Sequence, residues 1–466
     1  MKCINIKSNK DTIVAIGTRA GESAIGIVRM SGEKAIKIAE KIFFAKSKKK
    51  IRDMDSYTMI YGFIKDKNGE TIDQVIVSLM KKPGSYTREN VVEINCHGGI
   101  AATKKVLEIC QEMGARIAEP GEFTRRAFIN GRIDLSQAEA VAEIIRAKTE
   151  QSLKIAAKNI SGAVGQKVER LRKQILEILI ELEASIDFIE EDLEVTPYEE
   201  LEKRVKDINK KINILIEDEK KGEIVKNGVR VAIAGKPNVG KSSLLNAMAK
   251  KEKAIVTHIP GTTRDAIEEI LYIEGIPLIL VDTAGIRKAE NIIEKIGVER
   301  SINQIEEAEL IILVIDGSKP LESEDIEILK KIKKKKKIIC INKTDLKKVV
   351  SRKVIGEKVK TKNILEISAK KLQGIDDLEK EIRNILIKDM DFDLENRVII
   401  NERHKKIMLQ TKEALSNAMK AMNKKMSEEF PSSDLKIAYE LLGEITGKTN
   451  NEEIINGIFE KFCIGK

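Results

Sequence analysis

The chain contains no tryptophan, and aromatic residues make up only 3% of its 466 residues. This scarcity does not indicate disorder, because isoleucine, leucine and valine are abundant enough to build buried cores. No run of about 18 apolar residues occurs, so we expect no transmembrane helix. Residues 1–13 are polar and lack the apolar core of a signal peptide.

Cysteine is also scarce, and its five residues are scattered. No C-x-x-C pair occurs, and only His97 lies beside a cysteine. We therefore expect neither a disulfide framework nor a zinc site, and a reducing cytoplasm is the predicted location. The five residues are Cys3, Cys96, Cys110, Cys340 and Cys463.

The net charge of +10 permits a nucleic-acid partner. It is equally compatible with a lysine-rich composition in which most charges are simply solvated. By length alone the chain should hold roughly three domains.

The pattern of apolar residues changes three times along the chain. It predicts an α+β domain over residues 1–127 and a helical domain over 128–226, where Leu171, Ile175 and Ile178 follow helical spacing. Apolar strands then alternate with helices over 227–384, as in a doubly wound α/β domain. Helical patterning returns over 385–466. The simplest organisation is a helical domain with the α/β domain inserted between its halves, and four serial domains are the alternative.

Several individual elements are predicted within this plan. The turn signal Asn68-Gly69 indicates a hairpin, and the basic run 333–337 is interpreted as the solvated end of a helix. We predict strands over 12–16, 24–30, 57–64, 75–80 and 91–96, and helices over 32–44 and 103–113.

The strongest local signal is the stretch GKPNVGKS at residues 235–242. It follows an apolar run over 229–234 that predicts a strand, and it precedes a helical pattern over 243–249. This context is typical of a phosphate-binding loop, with Lys241 supplying positive charge and the Ser242 hydroxyl a magnesium ligand. The alternative is a glycine turn before an ordinary helix.

Further motifs follow in the order expected of a guanine-nucleotide domain. They are DTAG at 282–285, NKTD at 342–345 and SAK at 368–370, each at the end of an apolar strand. The loop GTTRD at 261–265 offers Thr263 as a second magnesium ligand. The Asp345 carboxylate can accept two N–H bonds from guanine, which adenine cannot offer. The sequence therefore predicts binding of GTP and GDP rather than ATP.

The hydrolytic residues depart from the Ras pattern. Ile286 stands where a Gln usually orients the attacking water. Glu294 is our candidate for that role, and a helix N-terminal acid is the alternative interpretation. No arginine finger is identifiable, but the Asn238 side chain with carbonyls from 257–262 could hold a monovalent cation against the phosphates.

Taken together, these motifs resemble the MnmE (TrmE) family of tRNA-modifying GTPases along essentially the whole chain. The stretches that carry the resemblance are 26–32 (GIVRMSG), 120–128 (PGEFTRRAF), 134–140 (DLSQAEA), 235–242, 261–265 and 462–466 (FCIGK).

The resemblance implies a homodimer built on N-terminal folate-binding domains, with a G domain inserted in a helical domain. It also implies a heterotetramer with an FAD-dependent, MnmG-type partner. Together they would install an aminomethyl or carboxymethylaminomethyl group on C5 of uridine 34 of certain tRNAs. A 5,10-methylene or 5-formyl tetrahydrofolate would supply the carbon. The residues that match the family's folate contacts are Arg29, Glu93, Arg132 and Lys466.

The same resemblance implies K⁺-assisted hydrolysis with Glu294 and Lys241 as catalytic residues. Ser242 and Thr263 match the Mg²⁺ positions. Those for K⁺ are Asn238, Thr257, Ile259 and Thr262. The implied GTP contacts are Asn238, Val239, Gly240, Lys241, Ser242, Ser243, Thr257, His258, Ile259, Thr262, Thr263, Asp282, Thr283, Ala284, Gly285, Asn342, Lys343, Asp345, Ser368, Ala369 and Lys370.

Two other functions share some of these motifs. A ribosome-assembly GTPase of the Era or Der type would carry a KH domain, and no GXXG-centred KH pattern is evident. A membrane-remodelling GTPase would need a membrane-binding face, and no lipidation motif is recognised at either end.

Overall fold

A computed structural model describes residues 11–19, 21–47, 49–147, 149–187, 196–251, 269–273, 276–280, 308–359, 361–387, 397–449 and 452–465. The chain divides into two compact units. The first contains Met1–Arg146, Ala156–Ile216 and Glu402–Lys466, and the second contains Ala147–Ile155 and Glu217–Asn401.

The first unit begins with a seven-stranded sheet in the order β3-β4-β5-β6-β2-β1-β7. Its strand pairs are antiparallel except for β1 and β7, which run parallel. The strands are β1 Ile13–Ile16, β2 Ser23–Ser31, β3 Phe43–Ala45, β4 Thr58–Lys65, β5 Thr71–Met80, β6 Val91–Gly98 and β7 Arg116–Ile117. The helices are α1 Ala35–Ile42, α2 Ile100–Glu112 and α3 Glu122–Ile129.

One face of this sheet is buried beneath α1 and α2. Val28 and Ile94 point to that face and pack with Ile38 of α1 and Val106 of α2. Because successive side chains of a strand point to opposite faces, Arg29 of β2 lies on the other side of the sheet from Val28. Glu93 is the register partner of Arg29, so these two charged residues lie on the same surface.

Long helices follow the sheet. They are α4 Leu135–Arg146, α5 Glu150–Ile160, α6 Ala163–Asp187 and α7 Tyr198–Asn227. Leu171, Ile175 and Ile178 are buried on α6, as their helical spacing predicts.

The second unit contains a six-stranded sheet in the order β13-β12-β11-β8-β10-β9. All neighbours are parallel except β9 and β10. The elements are β8 Val229–Ala234, α8 Lys241–Lys251, β9 Glu269–Ile273, β10 Ile276–Leu280, β11 Leu310–Asp316, α9 Ser323–Lys331, β12 Lys336–Asn342, α10 Arg352–Val359, β13 Ile364–Glu366 and α11 Ile375–Ile387.

Both faces of this parallel sheet are covered by helices. Ile312 of β11 packs on one side with Leu244 of α8 and Leu378 of α11. Ile311 packs on the other side with Ile328 of α9 and Ile355 of α10. Burial on both faces explains why these strands are continuous apolar runs. The carboxyl ends of the parallel strands meet at one edge, where ligands of such sheets bind.

The chain then returns to helices, with α12 Glu402–Asn423, α13 Glu429–Thr446 and α14 Glu452–Phe459. The predicted fold class is therefore confirmed: an α+β N-terminal part, a helical part and an inserted α/β part. The exact domain boundaries stay a prediction. Within the described residues, no helix has the length and apolar character needed to cross a bilayer.

Three element predictions need correction. The helix expected over 32–44 covers only Ala35–Ile42, because Phe43 already pairs with Ile64 in the sheet. The basic run is not simply a solvated helix end, since β12 begins at Lys336. Lys337 is buried, and its Nζ donates hydrogen bonds to the carbonyls of Lys333 and Lys335. The helix expected over 103–113 begins earlier, at Ile100.

A buried ion cluster joins the two halves of the helical part. Glu139 of α4 accepts hydrogen bonds from Arg403 at 2.8 Å, and its Oε2 lies 2.7 Å from His404 Nε2 on α12. Although burial alone would raise the pKa of the Glu139 carboxyl, His404 and Arg403 hold that pKa well below its usual range. An ionised carboxylate on α4 therefore joins the helices that precede the inserted part of the chain to those that follow it.

Replacing this carboxylate should destabilise the first unit. We expect Glu139→Gln to lower the free energy of unfolding by about 3 kcal/mol, because Arg403 loses its counter-charge and the hydrogen-bonded cluster is broken. Since the folded pKa is depressed, the difference from wild type should be complete above the unfolded pKa and shrink as the pH falls below about 4. Urea unfolding of both proteins at pH 7 and under acid conditions measures this.

The matched control is Glu177→Gln, which removes an exposed carboxylate of α6 and should change stability by less than about 0.5 kcal/mol. Equal stabilities for wild type and Glu139→Gln at pH 7 would contradict the role assigned to the cluster.

Candidate functional site

The loop between β8 and α8 has positive φ angles and close contacts that only glycine can adopt at two of its positions. Gly235 has φ 142°, and a Cβ there would lie 2.4 Å from the Val314 carbonyl oxygen. Gly240 has φ 99°, and its Cβ would lie 2.2 Å from Asn342 Nδ2. Asn238 also has a positive φ, 60°, a conformation that Asn tolerates better than most residues. The glycines and Asn238 thus allow a tight loop at the N-terminus of α8, which favours anions.

Lys241 places a partly buried cation within this loop. Its Nζ donates hydrogen bonds to the carbonyl oxygens of Gly235 at 2.5 Å and Lys236 at 2.7 Å. No carboxylate of the described residues forms an ion pair with it. Burial lowers the pKa of Lys241 to about 8. The ammonium group is therefore poorly solvated and is prepared for an anion such as phosphate.

Ser242 and Asn238 fit the cation roles assigned to them by sequence. Both are exposed beside the loop. The Ser242 hydroxyl makes no hydrogen bond to another described residue, so it is available as an oxygen ligand for Mg²⁺. The Asn238 side-chain oxygen is similarly available for K⁺.

The NKTD motif at the end of β12 holds this loop to the second half of the unit. Asn342 is only 2% exposed. Its Nδ2 donates to the Val239 carbonyl at 2.9 Å, and its Oδ1 accepts from the Ala369 backbone N–H at 3.0 Å. Lys343 Nζ donates to the Asn238 carbonyl at 2.8 Å. Phosphate and base motifs that are more than 100 residues apart are thus joined directly.

Asp345 and Ser368 form the predicted base-binding part. The Ser368 hydroxyl donates to Asp345 Oδ1 at 2.7 Å, and this hydrogen bond lowers the pKa of the Asp345 carboxyl. The carboxylate is ionised and oriented, as recognition of a guanine N–H pair requires.

Two features of this site were not predicted from sequence. Asp316 at the end of β11 accepts a hydrogen bond from Lys343 at 2.7 Å. Lys236 in the loop pairs with Glu322 and Asp325, each at 2.8 Å, at the start of α9. Asp316 shares one signal with the predicted residues, a polar residue at the end of an apolar strand. Nothing in the sequence indicates the ion pairs of Lys236 with Glu322 and Asp325.

Several predicted residues lie outside the described part of the chain. They are Thr257, His258, Ile259, Thr262, Thr263, Asp282, Thr283, Ala284, Gly285, Glu294 and Lys466.

The predicted folate residues form a second polar site, in the first unit. Arg29 of β2 and Glu93 of β6 are direct partners in the sheet register, and Arg29 Nε lies 2.7 Å from Glu93 Oε1. These side chains are only 23% and 20% exposed. They are therefore not ordinary surface charges. Arg29 also donates to the Gly465 carbonyl at 3.3 Å, which brings the C-terminal tail to the same place.

Tyr86 links this pair to Arg132 and was missed by sequence reasoning. The Arg132 guanidinium lies 5.1 Å from the centre of the Tyr86 ring and donates to the Ser85 carbonyl. Burial raises the pKa of Tyr86, and the charges of Arg132 and Arg29 oppose that rise. The structure thus pairs Arg29 with Glu93 beside Gly465, the residue before Lys466, and holds Arg132 against Tyr86.

Two family models match consecutive parts of the chain. The model described as "GTP-binding protein TrmE N-terminus" matches residues 12–132. The model described as "MnmE helical domain" matches residues 135–463. This chain belongs to the MnmE family. The resemblance predicted from the sequence motifs is confirmed.

Curated MnmE proteins match over nearly their full length. The tRNA modification GTPase MnmE of Thermoanaerobacter pseudethanolicus is 47% identical over 458 residues, covering 98% of this chain and 99% of that protein. The MnmE of Clostridioides difficile (strain 630) is 46% identical over 456 residues, with the same coverage. The solved G domain of the T. maritima FeoB iron transporter is 26% identical, covers 34% of this chain and 98% of its own, and has a TM-score of 0.26. That score supports no further conclusion about this MnmE chain.

The partly buried Lys241 generates a prediction about protons. At pH 8 about half of the Lys241 side chains are neutral, and phosphate should favour the ammonium form. Binding of GDP at pH 8 should therefore take up about 0.5 proton per site, and affinity should fall as the pH rises above 8. Isothermal titration calorimetry in buffers of different ionisation enthalpy measures the uptake.

Two variants sharpen this measurement. Lys241→Arg carries a permanently charged side chain and should abolish the uptake. Lys371→Gln removes an exposed lysine near the base motif and should leave it unchanged. Binding without proton uptake by the wild-type protein at pH 8 would show that Lys241 is already fully charged in the free loop.

Proposed function

We propose that this protein is a K⁺-dependent GTPase that acts in tRNA modification. With an FAD-dependent, MnmG-type partner it installs an aminomethyl or carboxymethylaminomethyl group on C5 of uridine 34 of certain tRNAs. The observation that carries the proposal is the joining of the phosphate loop to the guanine motif by Asn342, in a chain 47% identical to a tRNA modification GTPase. The proposed location is the cytoplasm.

The nucleotide is placed by groups that the second unit already orients. The β- and γ-phosphates lie over the loop at residues 235–240, where the N-terminus of α8 and Lys241 provide positive charge. Asp345 accepts the guanine N–H groups, while Ser368, Ala369 and Lys370 lie along the base. Among the described residues no carboxylate pairs with Lys241, and this supports the arrangement, since the cation is then left to pair with the ligand.

Hydrolysis requires a water in line with the γ-phosphate. Glu294 orients that water. The water oxygen bonds to the γ-phosphorus, the bond to the β-phosphate oxygen breaks, GDP leaves, and the protons of the water end on the inorganic phosphate. Lys241 stabilises the charge that develops on the β–γ bridge. Mg²⁺ held by Ser242 and Thr263, and K⁺ held by Asn238, Thr257, Ile259 and Thr262, supply neutralisation of phosphate charge when bound.

The folate derivative occupies the site around Tyr86 in the first unit. Arg29, Arg132 and Lys466 suit the carboxylates of folate, and Glu93 suits hydrogen bonds to the pterin. The Arg29–Glu93 pair supports this assignment, because two largely buried opposite charges present a donor and an acceptor side by side.

An exposed apolar part of the N-terminal sheet supports a homodimer. The face opposite α1 and α2 is covered by Phe123 of α3 at β1, whereas Phe44, Met59, Tyr61 and Ile76 are exposed large apolar residues of β3, β4 and β5. Tyr61 and Ile76 are direct partners in the register, so the apolar surface is continuous. Packing of a second copy through this face would remove it from water. The four domain ranges predicted from sequence remain part of the proposal.

Nucleoside analysis of tRNA tests the proposed function. Cells that lack the protein should lose aminomethyl-type groups from uridine 34, and the wild-type gene should restore them. We expect Glu294→Ala to bind GTP, fail to hydrolyse it and fail to restore the modification. The matched control is Glu324→Ala, which removes an acid from the first turn of α9 and should restore it fully.

Unchanged wobble uridines in the deleted cells would refute the tRNA assignment, whatever the GTPase activity. Full restoration by Glu294→Ala would show that Glu294 is not needed for hydrolysis and would favour its interpretation as a helix N-terminal acid.

A further inference from the structure

A cleft between α6 and α13 of the first unit is lined by none of the predicted nucleotide or folate residues. Its volume is about 400 Å³, within the range of sites that hold small ligands or single recognition elements. The lining residues are Glu169, Arg170, Arg172, Lys173, Leu176 and Tyr439.

The floor of the cleft is built from a rigid stack. Arg172 is only 6% exposed, and its guanidinium lies 4.1 Å from the centre of the Tyr439 ring. Arg172 Nε donates to the Tyr439 carbonyl at 3.2 Å, and another guanidinium nitrogen donates to Glu169 at 3.1 Å. The Tyr439 hydroxyl makes no hydrogen bond to another described residue. An aromatic ring with a polar tip is therefore held in place at the edge of the cleft.

The single carboxylate of the wall is already neutralised. Glu169 accepts hydrogen bonds from Arg172 at 3.1 Å and from Lys448 at 2.7 Å. It therefore carries no spare negative charge to offset the other cations of the cleft. Arg172 and Lys448 carry two positive charges against the single negative charge of Glu169, so the group of three has a net charge of about +1.

Two further cations of the cleft have no partner among the residues that the structure describes. Arg170 and Lys173 are exposed, and neither forms an ion pair or hydrogen bond with the described part of the chain. They lie three residues apart on α6, so they are neighbours on its surface. Beside them is the exposed apolar side chain of Leu176. The cleft therefore offers two available positive charges next to an aromatic ring and an apolar surface.

We propose that this cleft binds the phosphodiester backbone of tRNA. Arg170 and Lys173 contact phosphates, and Tyr439 lies against an adjacent ribose or base. Phosphates satisfy cations that have no protein counter-charge, and aromatic rings stack on nucleotides without regard to sequence. An acidic peptide could also pair with Arg170 and Lys173, but its carboxylates would not stack on the Tyr439 ring as a nucleotide does. The inference rests on the proposed function, since tRNA is the RNA that the proposed activity meets.

Binding of fluorescently labelled tRNA to the full-length protein tests the cleft. The test variant is Arg170→Gln/Lys173→Gln. The control is Lys203→Gln/Lys206→Gln, which removes two exposed lysines of α7 that have the same spacing, form no ion pair within the described residues and do not line the cleft. Each double variant lowers the net charge equally. Anisotropy is recorded at several salt concentrations.

The test variant should bind on the order of tenfold more weakly than the control at 0.1 M salt. The slope of log affinity against log salt should fall by about 1.4 to 1.8, as expected for two lost phosphate contacts. GTP turnover and circular dichroism should match wild type in both variants. Equal losses in the two variants would overturn the proposal, because only the net charge would then matter.

Two other results also decide the question. If the test variant binds tRNA like the control but no longer binds the purified flavoprotein partner, the cleft is a protein surface and the proposal is wrong. If wild type restores uridine 34 modification in cells while the two variants bind tRNA equally, the cleft fails and the proposed function stands. Failure of wild type to restore the modification would instead refute the proposed function.

Discussion

The nucleotide site depends on one buried side-chain amide. Asn342 donates to the phosphate loop at Val239 and accepts from Ala369, so a single residue fixes the distance between the phosphate and base regions. The loop can approach only because Gly240 has no Cβ, which would otherwise meet the Asn342 amide at 2.2 Å. A buried amide with both ends satisfied tolerates little change of position, because a lost partner costs about 1–3 kcal/mol.

Charge is arranged differently in the three polar sites. Lys241 is partly buried, and within the described residues its Nζ bonds to carbonyl oxygens and to no carboxylate, so a ligand can supply its counter-charge. The Arg29–Glu93 pair is internally balanced, and it presents a donor and an acceptor together. The cleft beside Tyr439 has a floor in which Glu169 is neutralised, and two cations at its rim pair with no other described residue. These arrangements suit a triphosphate, a mixed polar ligand and an extended polyanion, respectively.

The sequence predicts the site correctly where its features are determined by consecutive residues. The apolar run at 229–234, followed by glycines, a lysine and a serine, predicts the strand β8, its loop and the helix α8. These elements can be predicted because their signals are local and do not depend on residues elsewhere in the chain. It fails where a contact depends on register or distant packing. Tyr86 and Asp316 gain their roles only from neighbours brought by the fold. Lys337 is buried because β12 begins within a basic run, against the simple expectation for lysine.

The central claim is that this unit recognises guanine through Asp345, and a change of nucleotide preference tests it most directly. Asp345→Asn should weaken GDP binding by about 100-fold or more, since two hydrogen bonds to a charged acceptor are lost. Xanthosine diphosphate should then bind better than GDP, because the asparagine amide can donate to the xanthine oxygen. Asp377→Asn, in the first turn of α11, should bind GDP like wild type. Unchanged GDP preference in Asp345→Asn would contradict the account.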